Sequence, residues 1–466
     1  MSCDRTIPCG PAPSSPKRCR TLERTWRDTS MCAASLSERR NDPSPEMVPD
    51  RSRQVKLRET PSEGSMATDE TRSTVFFEPE LASLLDEEYP HFSDAELARR
   101  RRAVEDLMAS KSVTHLLIYG IGGRGGAVTW LSQWLVTNEA QLVVTPDARD
   151  TLFVQYFNHV PLATKLATDA SVKWGGASTI ESSIEELRRR SASEGRVGVI
   201  GPLPLGAARV LEDAFGPVVD LNAGYNHLRL IKSPEELLWF RLGARLADLS
   251  IEALANQLRP GLSERDLVGI VEAAYHSYGG VNGIHYFAVN AMSDPQYCVP
   301  RQHPSTRRVR HGDVLSTEIT ANFFDYGGQV LRTFSVGEEL SPIFRELHDV
   351  ADAAYHAIAE RLLPGTHVSE LVDAARLIED AGFTTFDDLV HGYGGGYLPP
   401  ILGSLSRTNE AIPDMVLEEG MMLVVQPNVV TTDHRAGVQT GECLVVTADG
   451  PARLHTSVQG ARCVAG

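Results

Sequence analysis

No run of about 18 or more consecutive apolar residues occurs in the 466-residue chain, so no segment reads as a membrane-spanning helix. Residues 1–35 lack an apolar h-region and are not expected to act as a secretory signal. Positive charge is scarce: 45 Lys and Arg stand against 61 Asp and Glu, a formal net charge of -16. That deficit argues against a nucleic-acid binder, which neutralises phosphates with clustered Lys and Arg, and favours a small-molecule or short-peptide substrate. Cysteine is sparse and unpatterned. Cys3, Cys9, Cys19 and Cys32 fall in a polar leader, and Cys298, Cys443 and Cys463 are scattered through the body. They match no zinc spacing and no disulfide framework, so free thiols in a reducing cytoplasm are expected.

The remaining composition, 42% apolar and 23% charged, is that of a globular protein long enough for two domains with full cores. Residues 1–75, rich in Ser, Pro, Arg, Glu and Asp without an apolar period, are expected to be disordered. Met66 is a candidate start of translation that would leave them untranslated. Asp94 to Ser110 reads as a helix with its arginine run on a solvated face. His115–Tyr119, Ala140–Thr145 and Arg196–Ile200 read as strands, and Ile180–Ser193 as a helix, of an α/β domain covering residues 76–229. The loop Gly120-Ile-Gly-Gly-Arg-Gly-Gly126 lacks both the Lys-Ser/Thr of a P-loop and the G-x-G-x-x-G spacing, so nucleotide binding is not expected.

A second domain, residues 230–466, opens with Ser233, Pro234 and Glu236, a capping box with proline at the first helical position. Its helix is expected to run to Gln257. Leu258-Arg-Pro-Gly-Leu-Ser-Glu-Arg-Asp-Leu267 recurs as Leu362-Leu-Pro-Gly-Thr-His-Val-Ser-Glu-Leu371, each copy flanked by amphipathic helices. This marks an internal duplication of about a hundred residues.

Four stretches concentrate the polar character of the second domain: Gly312 to Phe334, His391-Gly-Tyr-Gly-Gly-Gly-Tyr397, Glu419-Gly-Met-Met-Leu-Val-Val-Gln-Pro427, and Gly437-Val-Gln-Thr-Gly-Glu-Cys-Leu-Val-Val-Thr447. In order and spacing they resemble the active-site strands of the pita-bread family, which includes methionine aminopeptidase, Xaa-Pro aminopeptidase, prolidase and creatinase. The resemblance covers roughly residues 76–460. It implies an α/β creatinase-type N-terminal domain followed by an α+β pita-bread domain with an internal pseudo-twofold. It also implies a homodimer in which the N-terminal domain caps the neighbouring subunit's site.

In the metallopeptidases of that family two Asp, one His and two Glu hold two divalent ions, whose bridging water becomes the nucleophile. Matched motif by motif, these positions fall on Glu318, Gln329, His391, Gln426 and Gly441, with Glu442 one step out of phase and so on the opposite strand face. Neutral amides can ligate one cation but cannot compensate two. No dinuclear centre and no cofactor is therefore expected; a single divalent ion (Mn, Co or Zn) on Glu318, His391, Gln329 and Gln426 is the alternative. The peptidases' second His falls on Leu398, which neither donates nor accepts a proton.

Metal-free creatinase-type chemistry is the parallel this set suggests: hydrolysis of a carbon–nitrogen bond in a small molecule. His391 and Glu318 would form the polar centre and His303 or His285 would move a proton. Gln329, Gln426, Arg301, Arg332, Glu442 and Tyr393 would contact substrate, the arginines suiting a carboxylate. Glu318 is expected either to act as a protonated acid or to pair with Arg332. A catalytically dead pita-bread binding protein and an atypical Xaa-Pro aminopeptidase-like metallopeptidase are the alternatives. A cytoplasmic homodimer with no nucleic-acid or membrane partner completes the expectation.

Overall fold

Short β-branched runs separated by Gly, Pro and Asp build the first half of the fold. The computed structural model describes residues 77–466 apart from 123–125, 147, 193–194 and 408–410. The expected disordered leader and the centre of the glycine loop lie outside the described residues. Strands β1 (His115–Ile121), β2 (Glu139–Thr145), β3 (Ala148–Val154), β4 (Ala170–Trp174), β5 (Val197–Ile200) and β6 (Val219–Asp220) form a sheet in the order β4-β3-β2-β1-β5-β6. Central β1 runs antiparallel to β2 and parallel to β5, and burial on both faces accounts for its unbroken apolar run. The helix expected over 180–193 is Thr179–Arg189, started by Ser178, whose side chain accepts from the Glu181 amide.

The Asp94–Ser110 helix has the expected bounds, and Arg102 is exposed with Arg99 and Arg101 partly so, but Arg100 does not lie on a solvated face. Successive helical residues are about 100° apart, so a run of four cannot avoid the stripe occupied by Leu97, Val104 and Met108. Arg100 falls in that stripe and is fully buried. It donates to Glu96 at 2.7 Å and to the Trp130 carbonyl at 2.8 Å, and lies 3.9 Å above the Phe92 ring.

In the second half, Pro234–Gln257 is the expected helix and its capping box closes: Ser233 Oγ accepts from the Glu236 amide at 3.1 Å, and Glu236 Oε2 from the Ser233 amide at 3.0 Å. The following strands are β7 (Val281–Ala291), β8 (Asp313–Phe323), β9 (Tyr326–Val336), β10 (Thr384–Thr385), β11 (Val390–Tyr393), β12 (Tyr397–Leu402), β13 (Met422–Val425), β14 (Asn428–Val430), β15 (Gly437–Gln439) and β16 (Gly441–Thr447). They make a large sheet in the order β12-β11-β13-β16-β9-β8-β7 and a small one in the order β10-β14-β15. The long helix packs so closely on β9 that a Cβ at Gly243 would meet the Tyr326 carbonyl oxygen at 2.5 Å.

The two halves of the duplication join where β16 pairs with β9 through Gly441–Leu331 and Glu442–Val330. The first Leu-x-Pro-Gly copy leads into the helix Glu264–Tyr275, opened by a capping box of Ser263 and Asp266. The second departs from expectation: it has no side-chain cap at Val368, and the helix is broken into Ser369–Ala374 and Leu377–Asp380.

Candidate active site

Strand alternation decides which side chains meet. On β8, Glu318, Thr320 and Asn322 share one face; across the ladder Thr320 pairs with Gln329 of β9, placing that amide on the same face. His391 comes from β11, and Gln426 follows β13, its backbone N–H bonded to the Leu389 carbonyl at 2.8 Å. Four separate segments thus deliver Glu318, Gln329, His391 and Gln426, the expected centre, to one buried place. Gln329 Nε2 donates both to Glu318 Oε1 at 2.9 Å and to Gln426 Oε1 at 2.8 Å. Gln329 Oε1, Gln426 Nε2 and His391 Nε2 are buried without hydrogen-bond partners.

Protonation follows from surroundings. Burial, reinforced by the charge of Asp387, pushes the Glu318 carboxyl up to about 8, so it carries its proton at neutral pH. His391 Nδ1 lies 3.0 Å from the Gly392 carbonyl, which can only accept, so the hydrogen sits on Nδ1. Burial lowers the ring's pKa, leaving a neutral imidazole with its lone pair on Nε2. The Tyr397 ring stacks on His391 at 3.9 Å and 15°, and His391 has no exposed surface.

A cavity of about 570 Å³ adjoins the cluster, and Gln329 and Tyr397 are the cluster's residues along it. Tyr393, expected to contact substrate, lines it, as do Thr320 and Tyr286. So do two cations, Arg229 and Lys232, that the sequence reading did not single out. Lys232 lies in the same Leu-Ile-Lys-Ser-Pro-Glu stretch that signals the helix start, which drew attention to the cap instead. Asp387 was also missed; Gln439 Nε2 donates to it at 3.3 Å, and its place four residues before His391 was the available signal.

Five expected residues are not brought to this cluster. His285 projects from the other face of β7, where it meets Tyr275 OH at 3.1 Å, while its neighbours Ile284 and Tyr286 line the cavity. Burial takes His285 down to about 4. His303 is exposed in the connection between β7 and β8. Arg301 is bonded to buried Glu264 and lies 4.1 Å from the Tyr297 ring. Arg332, rather than pairing with Glu318, pairs with Glu442 at 2.6 Å and donates to the carbonyls of Gly441 at 2.8 Å and Val458 at 3.0 Å. Both lie on the strand face opposite Gln329, because each is one residue out of phase with the cluster.

Two adjacent divalent ions carry four positive charges, whereas this cluster offers one carboxyl, two amides and an imidazole. That donor set does not fit a dinuclear centre. At the fifth position Gly441 has φ 152°, and a Cβ there would lie 2.1 Å from the Val425 carbonyl oxygen, so this backbone leaves no room for a ligating side chain.

These strands and helices define a pita-bread fold, and residues 239–448 match metallopeptidase family M24. That match spans just under half of the chain. Among its relatives is the Xaa-Pro dipeptidase of Lactobacillus delbrueckii subsp. lactis, 29% identical over 234 residues; that alignment covers 50% of this chain and 61% of the relative's length. Among solved structures, Xaa-Pro dipeptidase from Bacillus anthracis is 18% identical with a TM-score of 0.68, covering 79% of this chain and 100% of that one. X-Pro aminopeptidase from Thermotoga maritima is also 18% identical with a TM-score of 0.68, covering 78% of this chain and 99% of that one.

Proposed function

We propose that the protein is an M24-type hydrolase that cleaves a carbon–nitrogen bond of a small molecule without a dinuclear metal centre. The observation that carries this reading is the convergence, beside a cavity, of a protonated Glu318 hydrogen-bonded to the linked amides of Gln329 and Gln426 with a neutral His391 whose Nε2 is unpartnered. His391 Nε2 takes a proton from water as its oxygen bonds to the carbonyl carbon. Glu318 gives its proton to the departing nitrogen as the carbon–nitrogen bond breaks, leaving an acid and an amine. Gln329 Oε1 and Gln426 Nε2 orient the substrate. The names of the relatives, dipeptidase and aminopeptidase, support an amide bond as the target. A cytoplasmic homodimer belongs to the same reading.

A second reading, a binding protein without turnover, is favoured by one observation: Tyr397 covers His391, which has no exposed surface. Chelator-treated full-length protein assayed on small amides and X-Pro dipeptides separates the readings. The hydrolase reading expects turnover unchanged by the chelator and lowered at least about 100-fold in Glu318→Gln. Turnover restored only by Mn, Co or Zn and lost in His391→Ala would return the protein to the metallopeptidases. Ligand binding with no turnover under any condition would support the binding protein.

A further inference from the structure

Proton transfer through His391 Nε2 requires access to water, yet the ring has no exposed surface and is stacked under Tyr397 at 3.9 Å. Tyr397 opens β12, the outermost strand of the large sheet, which among the described residues pairs only with β11. That ladder is short and irregular between His391 and Gly392, and β12 contains Pro399 and Pro400, which have no N–H to donate. Buried Leu398 and Leu402 hold β12 to the core, so conformational freedom concentrates at its tip, in Gly394, Gly395, Gly396 and half-exposed Tyr397. Gly395 has φ 77° and Gly396 φ 148°, backbone that favours glycine. One strong tie reaches this tip. Arg229, at the end of the helix Asn222–Leu228, donates from its guanidinium to the Gly394 carbonyl, 165 residues along the chain. The donor's charge strengthens that bond. Arg229 is itself fixed: its amide donates to the Asn226 carbonyl at 3.2 Å, and its carbonyl accepts from Lys232 Nζ at 2.8 Å. The tip also sits against the turn between β8 and β9, where a Cβ at Gly395 would lie 2.6 Å from the Asp325 carbonyl oxygen.

We propose that the tip from Gly394 to Tyr397 is a gate over His391, and that Arg229 is the positioning residue that holds it shut. Opening swings the Tyr397 ring off the imidazole and joins His391 Nε2 to the cavity, whose wall includes the three glycines, Tyr397 and Arg229. The gate deepens the hydrolase reading and rests on it only for the use made of the opening. It also accounts for the one observation that favours a binding protein, because a covered His391 is then the closed state of a two-state element rather than a lost base. A hydrogen-bond acceptor on an entering ligand competes with the Gly394 carbonyl for the Arg229 guanidinium, which couples occupancy of the cavity to opening.

Diethyl pyrocarbonate labelling of the full chain without ligand, read peptide by peptide, tests the latch. Exposed His303 is the reactive standard, and buried His455 reports any global unfolding. Arg229→Met removes the donor and should label His391 at least about tenfold faster than the wild type, with His303 and His455 at their wild-type rates. Arg229→Lys, which still donates, should restore most of the protection. Gly395→Ala leaves Arg229 in place but strains φ 77° and crowds the Asp325 carbonyl, so it should open the gate by a second route. Should Arg229→Met not fold, the milder Arg229→Gln and Gly395→Ala stand in for it. Unchanged labelling of His391 in these folded variants overturns the proposal. So does labelling that rises only in step with His455, or that is as fast in Arg229→Lys as in Arg229→Met. Gated labelling without turnover of any amide would leave the gate standing and remove the hydrolase reading; turnover with His391 equally protected in every variant would do the reverse.

Discussion

Strands β8 and β9 bury polar side chains on both faces, and the two faces satisfy them differently. On one, Arg332 and Glu442 pair at 2.6 Å, and Tyr355 OH at 3.1 Å and Arg453 Nη2 at 3.0 Å complete the carboxylate. Burial works to raise Glu442, yet the guanidiniums of Arg453 and Arg332 hold it below its ordinary value. On the other face Glu318 has an amide for a neighbour and no cation, stays protonated, and lies among three unpartnered polar atoms. A network that satisfies its own charges holds a fold together, while one that leaves donors and acceptors unmet is prepared for a ligand. Loss of a carboxylate should therefore be costly on the first face and cheap on the second.

Glu442→Ala carries the largest expected effect. It leaves Arg332, which is 1% exposed, and the Tyr355 hydroxyl without their acceptor. Breaking a buried pair from one side costs about 3–5 kcal/mol, read as a lower denaturant midpoint at unchanged slope. Replacing both partners, Glu442→Leu with Arg332→Met, should recover much of that loss. If Glu442→Ala unfolds no more readily than Glu318→Gln at neutral pH, the contrast between the faces is wrong.

Next in size is a pH effect at Glu318. Its folded value of about 8 stands above the ordinary 4.5, so between those limits the native state keeps a proton that the unfolded chain has lost. Stability from this group is complete below about pH 4.5, falls as pH rises through the window, and levels off above about pH 8. Glu318→Gln has no such proton to lose. It should match the wild type near pH 4.5 and exceed it by about 1–3 kcal/mol near pH 8. Parallel stability curves for the two proteins across this range would mean that Glu318 is ionised in the native state.

Much of this comparison could be read before the fold was known, and the reason is locality. The capping box of Ser233 and Glu236 is decided within four residues, and the opposite aspects of Gly441 and Glu442 follow from the two-residue period of a strand. His285 failed because phase must be counted from a known register, and β7 carries an irregularity between Asn282 and Ile284 that shifts it. Arg301 and Arg332 failed for another reason: their partners, Glu264 and Glu442, are 37 and 110 residues away, and nothing local distinguishes a structural arginine from a binding one. The arginine run of the Asp94–Ser110 helix shows the same limit, since burial of Arg100 depends on Phe92 and Trp130 closing over it.

The smallest expected effect concerns what separates the open cavity from the buried cluster. The Tyr397 ring lies flat on His391, yet 47% of that residue is exposed, so it contributes little core burial and acts chiefly as a cover. Tyr397→Ala should lower stability by about 0.5–1.5 kcal/mol, the worth of a stacked aromatic pair. Its more informative consequence is access. Diethyl pyrocarbonate should modify His391 in the variant and spare it in the wild type, with exposed His303 modified in both as the internal standard, read peptide by peptide. Equal modification of His391 in the two proteins would show that the ring does not guard it. Access without any gain in ligand turnover would shift the balance to the binding-protein reading, because an imidazole that stays idle once uncovered has no proton to move.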